Sequence, residues 1–445
     1  MSQNSDVSEV TRRHLFGTWR KQRDWRPLNV VSGEGCYLYD SAGREILDFS
    51  SMLVCVNLGY SNRAIVESVT EQIQRLPYII PSMTTEIKAE VAKLLKEVLP
   101  ENLEKFFFST SGTDAIEAAL KIARLKTGRP KIISRYFSYH GSTMGSIAAS
   151  GEVRRWFVEH FGKAGDVVFA PPPYCYRCPL KLRYPECGIA CVEIIDHMIK
   201  NEFGVAAILF EPVVGTNGVI VPPDGYMERL QEIARENNVL LIDDEVMTGW
   251  FRTGKWFAVE HWGVKPDILV TAKGLTSSYV PLALTAVSEE VAEHFEENFF
   301  AHGHTYEAHP VALAAAKAAI LEYKRLRIWE NVERVGRYLE RRLRELEERH
   351  RSVGEVRGIG MFWAIDLTRD RRTREPFSTY QDKYEGRAAM AERLAAEALK
   401  RGVYVLGYVN NLVIAPPLIA TEREIDRGVE VLDEVLKISD EEARG

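Results

Sequence analysis

Two stretches of the sequence decide the fold, VLLIDDE at residues 239–245 and DILVTAKG at residues 267–274. Each contains an apolar run as long as a single strand, and each run ends in ionisable residues: three consecutive acids in the first stretch and Lys273 in the second. Short apolar runs of this kind are typical of strands that are buried on both faces of a parallel sheet. We therefore predict two such strands whose ends carry ionisable side chains.

Predicted strands and helices alternate through the middle of the chain. The sequence predicts strands at Lys105–Ser109, Lys131–Ser134, Val205–Phe210, Val239–Asp243 and Ile268–Thr271, and helices at Thr113–Thr127 and Gly225–Asn237. Such alternation implies βαβ units, and hence an α/β fold in which a mainly parallel sheet has helices on both faces. A ligand of such a sheet is expected at the carboxyl ends of the strands.

The two ends of the chain show different patterns. The sequence predicts a β-hairpin at Gly35–Leu47 that turns at Asp40–Gly43, a long charged helix at Asn331–His350, strands at Val353–Arg357 and Met361–Asp366, and a helix at Tyr384–Arg401 that stops at Gly402. We expect both ends to join in a smaller α+β domain. The expected boundaries are 1–70 and 331–445 for its two parts, and 71–330 for the large central domain.

The composition excludes several classes of protein. The 445 residues are 46% hydrophobic and carry a net charge of −6, without the basic face that a nucleic-acid binder would show. Residues Met1–Val10 are polar and lack the apolar segment of a signal peptide, and no apolar run approaches the length of about 18 residues that a membrane span needs. We expect a cytoplasmic protein with no membrane and no nucleic-acid partner.

The first candidate feature of a functional site is STSGTD at Ser109–Asp114, where a predicted strand ends and a predicted helix begins. Small residues let the backbone approach an anion closely, and the free N–H groups and the dipole of a helix start favour phosphate. The alternative is an ordinary helix cap made by a Ser or Thr side chain, which is the commoner case for this pattern alone.

The second feature is the acid cluster Asp243-Asp244-Glu245 at the end of a buried strand. A buried carboxylate needs a partner, and a protonated pyridine nitrogen would be one, since an acid at that nitrogen makes the ring an electron sink. The alternative is an acid pair that binds a metal ion or forms a salt bridge.

The third feature is Lys273, which follows a strongly apolar strand. Partial desolvation lowers the pKa of such a lysine toward nucleophilic use, and the alternative is a strand-end lysine that extends into solvent. The fourth feature is YFSYHG at Tyr136–Gly141, which brings aromatic rings and an imidazole to the same edge; the alternative is core packing. Together the four features meet the needs of a pyridoxal-5′-phosphate (PLP) site.

With these motifs in view, the sequence resembles the class III aminotransferases, which are fold type I PLP enzymes. The resemblance runs from about Leu15 to the last helix, and its central motif is LIDDEVMTGWFRTG at 241–254, followed by KPDI at 265–268 and AKG at 272–274. It implies a mainly parallel seven-stranded sheet in the large domain, PLP as the cofactor, and a homodimer or tetramer whose subunits share active sites.

The resemblance also implies a role for each site residue. Lys273 binds the cofactor covalently and moves the proton, and Asp244 pairs with the pyridine nitrogen, so these two are the catalytic residues. Thr305 reaches the phosphate of the neighbouring subunit. The implied cofactor contacts are Ser111, Gly112 and Thr113 at the phosphate, Tyr139, His140 and Val246 around the ring, Glu211 on the phenolic side, and Asp244, Lys273 and Thr305.

Within the family, the sequence is most similar to the ω-amino-acid and amine:2-oxoacid group, which includes taurine- and β-alanine-type transaminases. FSSMLVCVNLGY at 49–60 and EPVVGTNG at 211–218 carry this similarity. We therefore expect transfer of an amino group from an ω-amino acid or amine donor to a 2-oxoacid such as pyruvate. The alternatives are a PLP aminomutase of the glutamate-1-semialdehyde type, which residues 247–249 also resemble, a 4-aminobutyrate or ornithine type of transaminase, and a non-catalytic PLP-binding protein.

Two departures from the group concern the substrate pocket. Val54 stands where related amine transaminases often have a tryptophan, and residues 402–417 contain no arginine, although many ω-transaminases bind the 2-oxoacid carboxylate with one there. Arg154 and Arg155 follow the Tyr136–Gly141 motif closely enough to be candidates for that role. We favour the alternative, in which both are solvated helix residues, and the next candidates are Arg252 or a residue of the partner subunit.

Four cysteines are clustered as Cys175-x2-Cys178-x8-Cys187-x3-Cys191. The spacing is close to that of a structural zinc site, and the alternatives are free thiols or one or two disulfides. Since the second pair is not a CxxC motif and PLP chemistry needs no metal, we assign no metal to the site. In none of these interpretations is the cluster catalytic.

Overall fold

The computed structural model of the protein describes residues 3–159 and 166–444. Its strands are β1 (Val30–Glu34), β2 (Tyr37–Asp40), β3 (Glu45–Asp48), β4 (Leu103–Ser109), β5 (Lys131–Arg135), β6 (Val167–Ala170), β7 (Val205–Phe210), β8 (Leu240–Asp244), β9 (Ile268–Thr271), β10 (Ala283–Ser288), β11 (Val353–Ile359), β12 (Phe362–Leu367), β13 (Val403–Tyr404), β14 (Leu406–Tyr408) and β15 (Asn411–Ile414).

The α-helices are α1 (Gln3–His14), α2 (Ser51–Val54), α3 (Arg63–Arg75), α4 (Glu86–Val98), α5 (Gly112–Thr127), α6 (Met144–Ala148), α7 (Val153–Trp156), α8 (Ala190–Asn201), α9 (Tyr226–Glu236), α10 (Glu289–Glu297), α11 (Pro310–Arg325), α12 (Ile328–Arg349), α13 (Tyr380–Glu385), α14 (Met390–Lys400) and α15 (Glu422–Glu442). Short 3₁₀ turns lie at Gln22–Asp24, Ala258–His261 and Lys273–Leu275.

A seven-stranded sheet in the order β4-β10-β9-β8-β7-β5-β6 forms the centre of the large domain. β10 runs antiparallel to both of its neighbours, and the other strands run parallel to one another. The expected seven-stranded, mainly parallel sheet of the α/β fold is therefore confirmed. β7, β9 and β10 are buried along their whole length, which explains why their sequences are apolar without alternation.

Every predicted central strand forms within two residues of its expected bounds, and this places the candidate site. β4, β5, β7, β8 and β9 are parallel, so their carboxyl ends meet at one edge of the sheet. Each predicted cluster of site residues follows one of these ends: the start of α5 after β4, the Tyr136–Gly141 motif after β5, Glu211 after β7, Asp244 at the end of β8, and Lys273 after β9.

The two ends of the chain meet in the structure. β13, from the C-terminal part, pairs in parallel with β3, from the N-terminal part, in the sheet β1-β2-β3-β13. The predicted hairpin is present as β2 and β3. It turns where Asp40 Oδ1 accepts the N–H groups of Ala42 and Arg44, and Gly43 has a φ of +77°. A third sheet, β11-β12-β15-β14, completes this half of the molecule.

One predicted helix is wrong in its extent. The expected helix at Tyr384–Arg401 is divided into α13 and α14. Gly386 adopts a left-handed φ of +78° and caps α13, which ends that helix, and α14 begins only at Met390. The predicted stop at Gly402 is confirmed, since α14 ends at Lys400 and Gly402 has a φ of +79°.

Among the residues of this structure, none of the helices has the length and apolar character that crossing a bilayer requires.

Candidate active site

Asp244, at the end of β8, is held in one orientation by two hydrogen bonds. Its Oδ2 lies 2.7 Å from Nδ1 of His140, and its Oδ1 accepts the N–H of Val246 at 3.1 Å. Both Asp244 and His140 are buried. The backbone N–H of His140 donates to Oγ of Ser150 at 2.9 Å, which fixes the loop that carries the imidazole. The carboxylate is therefore preorganised rather than free to rotate.

The other two acids of the cluster have different environments. Asp243 is fully buried, and neither of its carboxylate oxygens has a hydrogen-bond partner among the described residues. Burial and the neighbouring acids raise the pKa of Asp243 well above its usual value, which favours the neutral form of this carboxyl. Glu245 accepts hydrogen bonds from Thr248 and Val259, and burial raises its pKa to about 8. Asp244 alone of the three contacts the His140 loop.

Glu211 follows β7 and joins two loops of the site. Its Oε1 accepts the N–H of Tyr139 at 3.0 Å, and its Oε2 accepts the N–H of Gly215 at 2.7 Å. Burial raises the pKa of Glu211, and the charge of Asp244 raises it further, while His140 lowers it. Glu211 thus lies beside both ring residues of the predicted site.

Lys273 lies three residues beyond Val270, which is the register partner of Asp244 in the neighbouring strand. Its backbone has a φ of +46°, in the left-handed region that non-glycine residues seldom adopt. Burial lowers the pKa of its amine, and the charge of Arg154 lowers it further, whereas Cys55, Asp244 and Glu211 act in the opposite direction. A desolvated amine and a strained backbone at one residue are typical of a functional site.

The start of α5 forms an anion-binding end, because the N–H groups of the first helical turn have no partners inside the helix. Ser111 is the N-cap, and its Oγ accepts the N–H of Asp114. Val246 packs against Gly112 so closely that a Cβ on Gly112 would lie 3.2 Å from its methyl carbons. The helix start and the predicted ring-packing valine are therefore adjacent, as a phosphorylated ring cofactor requires.

The hydroxyl of Thr113 is engaged within the protein. Its Oγ1 lies 2.8 Å from Oγ1 of Thr143 and 2.6 Å from Oγ of Ser146, and it accepts the N–H groups of Ser142 and Thr143. These hydrogen bonds link the start of α5 to the loop after Gly141. The expected phosphate contact by Thr113 stays a prediction.

Tyr139 lies next to a buried cation that the sequence analysis treated as solvated. The guanidinium carbon of Arg154 is 3.5 Å from the centre of the Tyr139 ring. Arg154 is only 9% exposed, so the interpretation as a solvated helix residue is wrong for Arg154. Arg155 is half-buried, pairs with Glu159 and packs over the ring of Phe169, so it takes no part in this contact.

Arg252 is engaged in structural contacts through both of its terminal nitrogens, and its Nε has no partner among the described residues. Its guanidinium donates to the carbonyl oxygens of Met361 and Pro416 and to the side chains of Ser51 and Asn57. It is buried, and burial lowers its pKa to about 10. Arg252 therefore ties the N-terminal and C-terminal segments together and is not available to a substrate.

Among the described residues, Thr305 forms no hydrogen bond with the other predicted site residues. It is exposed, and its carbonyl oxygen accepts the hydroxyl of Tyr78 at 3.0 Å. The contact with a partner's phosphate stays a prediction.

The four clustered cysteines are free thiols that line one cavity, together with residues such as Pro172 and Tyr184. Burial, and then the neighbouring thiols, raise the pKa of Cys175 and of Cys191 to about 11. Within 3–159 and 166–444, no three Cys, His, Asp or Glu side chains are grouped so that they could hold a metal ion. The cavity shares no residue with the site at the sheet edge.

Comparison with known proteins agrees with this geometry. Residues 19–436 match the family model described as aminotransferase class-III. The chain is 34% identical to the taurine–pyruvate aminotransferase of Rhodobacter capsulatus, over 92% of each chain, and 34% identical to the putrescine–pyruvate aminotransferase of Pseudomonas aeruginosa, over 91% of this chain and 90% of the other. The structure of a taurine:2-oxoglutarate aminotransferase from Bifidobacterium kashiwanohense, in complex with PLP and glutamate, superposes with a TM-score of 0.94 over 99% of both chains, at 34% identity.

The fold and the site define a fold type I transaminase. The chain belongs to the class III aminotransferase family. It is a PLP-dependent transaminase of the ω-transaminase kind, and it transfers an amino group from an amine donor to a 2-oxoacid.

Sequence reasoning named Arg154 as a candidate but missed the group that it forms with Glu152 and Tyr408. Nε of Arg154 lies 2.6 Å from Oε1 of Glu152, and the hydroxyl of Tyr408 donates to the same carboxylate. The available signal was the pair Glu152 and Arg154 two residues apart after the Tyr136–Gly141 motif. Nothing local indicated that Tyr408, 256 residues further along the chain, would meet them.

Proposed function

We propose that this chain binds PLP at the carboxyl edge of the seven-stranded sheet and uses Lys273 and Asp244 as its catalytic residues. The residues present fit the cofactor: an anion-binding helix start at Gly112, a valine against that start, a preorganised buried carboxylate, and a desolvated lysine. When bound, PLP would supply an electron sink for the bond that is broken at the amino-bearing carbon.

Each residue of the chain then has a distinct task. The backbone N–H groups of Gly112 and Thr113 and the side chain of Ser111 would bind the phosphate. Asp244, oriented by His140, would hold the proton on the pyridine nitrogen. Tyr139 and Val246 would enclose the ring from two sides, and Glu211 would lie at the phenolic edge and fix the Tyr139 backbone. Lys273 would attach the cofactor and, once released, move the proton at its Nζ.

The observation that supports this proposal is the pairing of β8 with β9, in which Asp244 is the register partner of Val270, three residues before Lys273, while burial lowers the pKa of the lysine. Treatment of the PLP-loaded protein with borohydride, digestion and mass spectrometry tests it. We expect the reduced cofactor on the peptide that contains Lys273. Lys273→Ala is the matched control and should carry no label. Stoichiometric label on any other lysine would contradict the assignment.

We also propose a homodimer with shared sites. An exposed apolar surface formed by Tyr78, Ile80, Met83 and Tyr306 supports it, since these side chains are 40–60% exposed and the rings of Tyr78 and Tyr306 are in contact. Thr305 adjoins this surface through its hydrogen bond with Tyr78. A partner that covers the surface would meet Thr305 as well.

Measurement of PLP occupancy against protein concentration tests the shared site. Occupancy should fall on dilution as the dimer dissociates, and Thr305→Ala should lose PLP at a higher concentration than the wild type does, because cofactor binding and assembly are linked. Thr373→Ala, an exposed threonine remote from this surface in sequence, is the control. Occupancy that is independent of concentration in all three proteins would contradict the proposal.

We also propose the domain boundaries of the chain and its cellular compartment. The division into 1–70 with 331–445 and 71–330 is supported by the pairing of β3 with β13. A cytoplasmic location is supported by the six cysteines, all of which are free, because disulfides are rare in that compartment. Limited proteolysis tests the domain boundaries, and cell fractionation tests the cytoplasmic location.

A further inference from the structure

The short segment Ser51–Val54 has a strained backbone. Ser51, Met52 and Val54 have φ values of +45°, +56° and +57°, in the left-handed region that residues other than glycine seldom adopt. Met52 combines its φ with a ψ of −102°, far from the left-handed helical value of about +47°. Strain of this kind persists only where the surrounding contacts impose it, and it is concentrated at functional sites.

Asp48, at the end of β3, imposes this conformation. It is fully buried, and its Oδ1 accepts the N–H of Ser50 at 3.2 Å and the N–H of Met52 at 2.9 Å. Its Oδ2 accepts the hydroxyl of Tyr60 at 2.7 Å, which fixes the orientation of the carboxylate. The side chain of Asp48 thus takes the place of the backbone acceptors that a regular helix or strand would offer to these N–H groups.

Two hydroxyl groups attach the segment to the small domain. Ser50 donates to the carbonyl oxygen of Val413 at 2.6 Å, and Ser51 donates to the carbonyl oxygen of Ala415 at 2.7 Å. Both acceptors lie in β15 or directly after it. The segment therefore starts from a fixed point, and the bonds from Asp48 determine the path that it takes from there.

On one side, the strained segment leads to the loop of Lys273. The hydroxyl of Ser278 donates to the carbonyl oxygen of Cys55 at 3.3 Å, and the N–H of Ser278 donates to the carbonyl oxygen of Lys273 at 3.1 Å. After burial, Cys55 is the largest single influence on the pKa of the Lys273 amine, which shows that the two side chains are close. The position of Cys55 therefore affects the immediate surroundings of the lysine.

On the other side, the segment packs against the loops that follow β7 and β8. Val54 is 1% exposed and shares an apolar cluster with Val213, against which Met247 also packs. Val213 lies two residues after Glu211, and Met247 lies three residues after Asp244. The conformation of the strained segment thus sets where Val54 and Cys55 lie relative to both sides of the candidate site.

We propose that Asp48 is a positioning residue of the transaminase: it holds Ser51–Val54 in the strained form and so sets the affinity of the site for its amine donor. This inference rests on the proposed function of the site. The hydrogen bonds of the Asp48 carboxylate go to Ser50, Met52 and Tyr60, and none goes to Lys273 or Asp244. Asp48 therefore acts through the backbone of the segment.

Steady-state kinetics of the PLP-loaded enzyme with β-alanine and with putrescine, at saturating pyruvate, test the proposal. In Asp48→Ala, the KM of both donors should rise roughly 5–50-fold, the scale of a backbone strain that is no longer held. The kcat should change less than about twofold, because a misplaced segment weakens the binding of the substrate and of the transition state equally. Asp48→Asn keeps an acceptor for the two N–H groups and should return both KM values to within about threefold of the wild type.

Asp40→Ala is the matched control for a loss of stability. Asp40 is 3% exposed, and its Oδ1 likewise accepts two backbone N–H groups, those of Ala42 and Arg44, but in the turn between β2 and β3. Asp40→Ala should lower the melting temperature, as Asp48→Ala does, and leave the KM of both donors unchanged. A KM that followed stability alone would rise in both variants.

Met52→Gly tests whether strain is the reason that Asp48 is needed. Glycine adopts a positive φ at little cost, so the segment can keep its conformation without Asp48 when residue 52 is glycine. In the Met52→Gly background, the further change Asp48→Ala should raise the donor KM by less than about threefold. A rise as large as that in the wild-type background would contradict the role of strain.

Hydrogen exchange measures the conformation of the segment without any turnover. In Asp48→Ala, the amides of residues 50–56 should exchange about tenfold faster or more, whereas in Asp40→Ala the same peptide should keep the wild-type rate. Tyr60→Phe removes only the bond to Oδ2 and serves as the second variant if Asp48→Ala does not fold. It should raise the donor KM roughly 2–5-fold with an unchanged kcat.

An unchanged donor KM in the Asp48 and Tyr60 variants, or losses that Asp40→Ala reproduces, would overturn the inference and leave the proposed function intact. Failure of the wild type to convert either donor would count against the proposed function. In that case, exchange at residues 50–56 still decides whether Asp48 holds the segment.

Discussion

Nδ1 of His140 and Oδ2 of Asp244 lie 2.7 Å apart, and both groups are buried. The imidazole fixes the carboxylate at the end of β8, but it leaves its own Nε2 without a partner among the described residues. An acid oriented in this way needs no rearrangement when charge develops on a ring beside it, and such preorganisation is the basis of electrostatic catalysis.

Asp244→Asn should keep the fold and lose most of the rate. A neutral amide cannot hold a proton on the pyridine nitrogen, so we expect a rise of about 3–5 kcal/mol in the barrier, the scale of removing a preorganised electrostatic partner. The measurement is kcat with a saturating donor and pyruvate. Asp243→Asn is the matched control and should change kcat little, because Asp244, and not Asp243, is the acid that His140 orients. The reverse result for the two variants would assign the role to Asp243.

Lys273→Ala should give a folded protein without transaminase activity, because one amine serves both for attachment of the cofactor and for proton transfer. The backbone of Lys273 has a φ of +46°, which costs alanine and lysine about 1 kcal/mol or more but costs glycine little. Lys273→Gly should therefore be equally inactive and yet more stable than Lys273→Ala. Urea denaturation of both apo-proteins measures their free energies of unfolding. A glycine variant less stable than the alanine variant would show that the backbone at residue 273 is not strained.

Gly141→Ala should destabilise the protein and weaken PLP binding. The φ of Gly141 is +140°, and an added Cβ would overlap the hydroxyl oxygens of Thr113 and Ser146, which secure the loop next to the phosphate end. We expect a loss of about 2–4 kcal/mol in the free energy of unfolding. Gly43→Ala isolates the cost of a positive φ, since Gly43 has a φ of +77° and open space around it, and it should lose only about 1 kcal/mol. Equal losses in the two variants would show that the loop can move.

The sequence predicted those parts of the site that depend on local pattern. Asp244 and Lys273 each end an apolar run, so the strand and the position of its ionisable end are encoded within a few residues. Gly386 shows the limit of the same approach, because one glycine in an otherwise helical pattern interrupts the helix. The pattern alone did not show whether the chain would continue through it.

Arg154 could not be placed from the sequence, because its burial depends on contacts that are distant along the chain. α7 is only four residues long and has no amphipathic pattern that would fix its orientation. Tyr408, Trp19 and Tyr139 come from three separate segments and meet only in the folded protein. The internal partners of the Thr113 hydroxyl were not predicted for a similar reason, since they lie at 142–146, in a loop about 30 residues further along the chain.

Glu245→Gln should stabilise the protein at alkaline pH and have little effect at acidic pH. Burial raises the pKa of Glu245 to about 8 in the folded protein, whereas the unfolded chain ionises near pH 4.3. Below that pH both states are protonated, and the glutamate carries no penalty. Between about pH 4 and 8 the unfolded state loses its proton first, so the wild type loses stability as the pH rises, and above about 8 the penalty is constant.

Glutamine cannot ionise, and it can still accept the N–H of Val259 and donate to Thr248. Melting temperatures of wild type and variant at about pH 4 and about pH 8.5 test this. We expect a gain of a few degrees at the higher pH and almost none at the lower, and a gain of equal size at both values would show that the pKa of Glu245 is not raised.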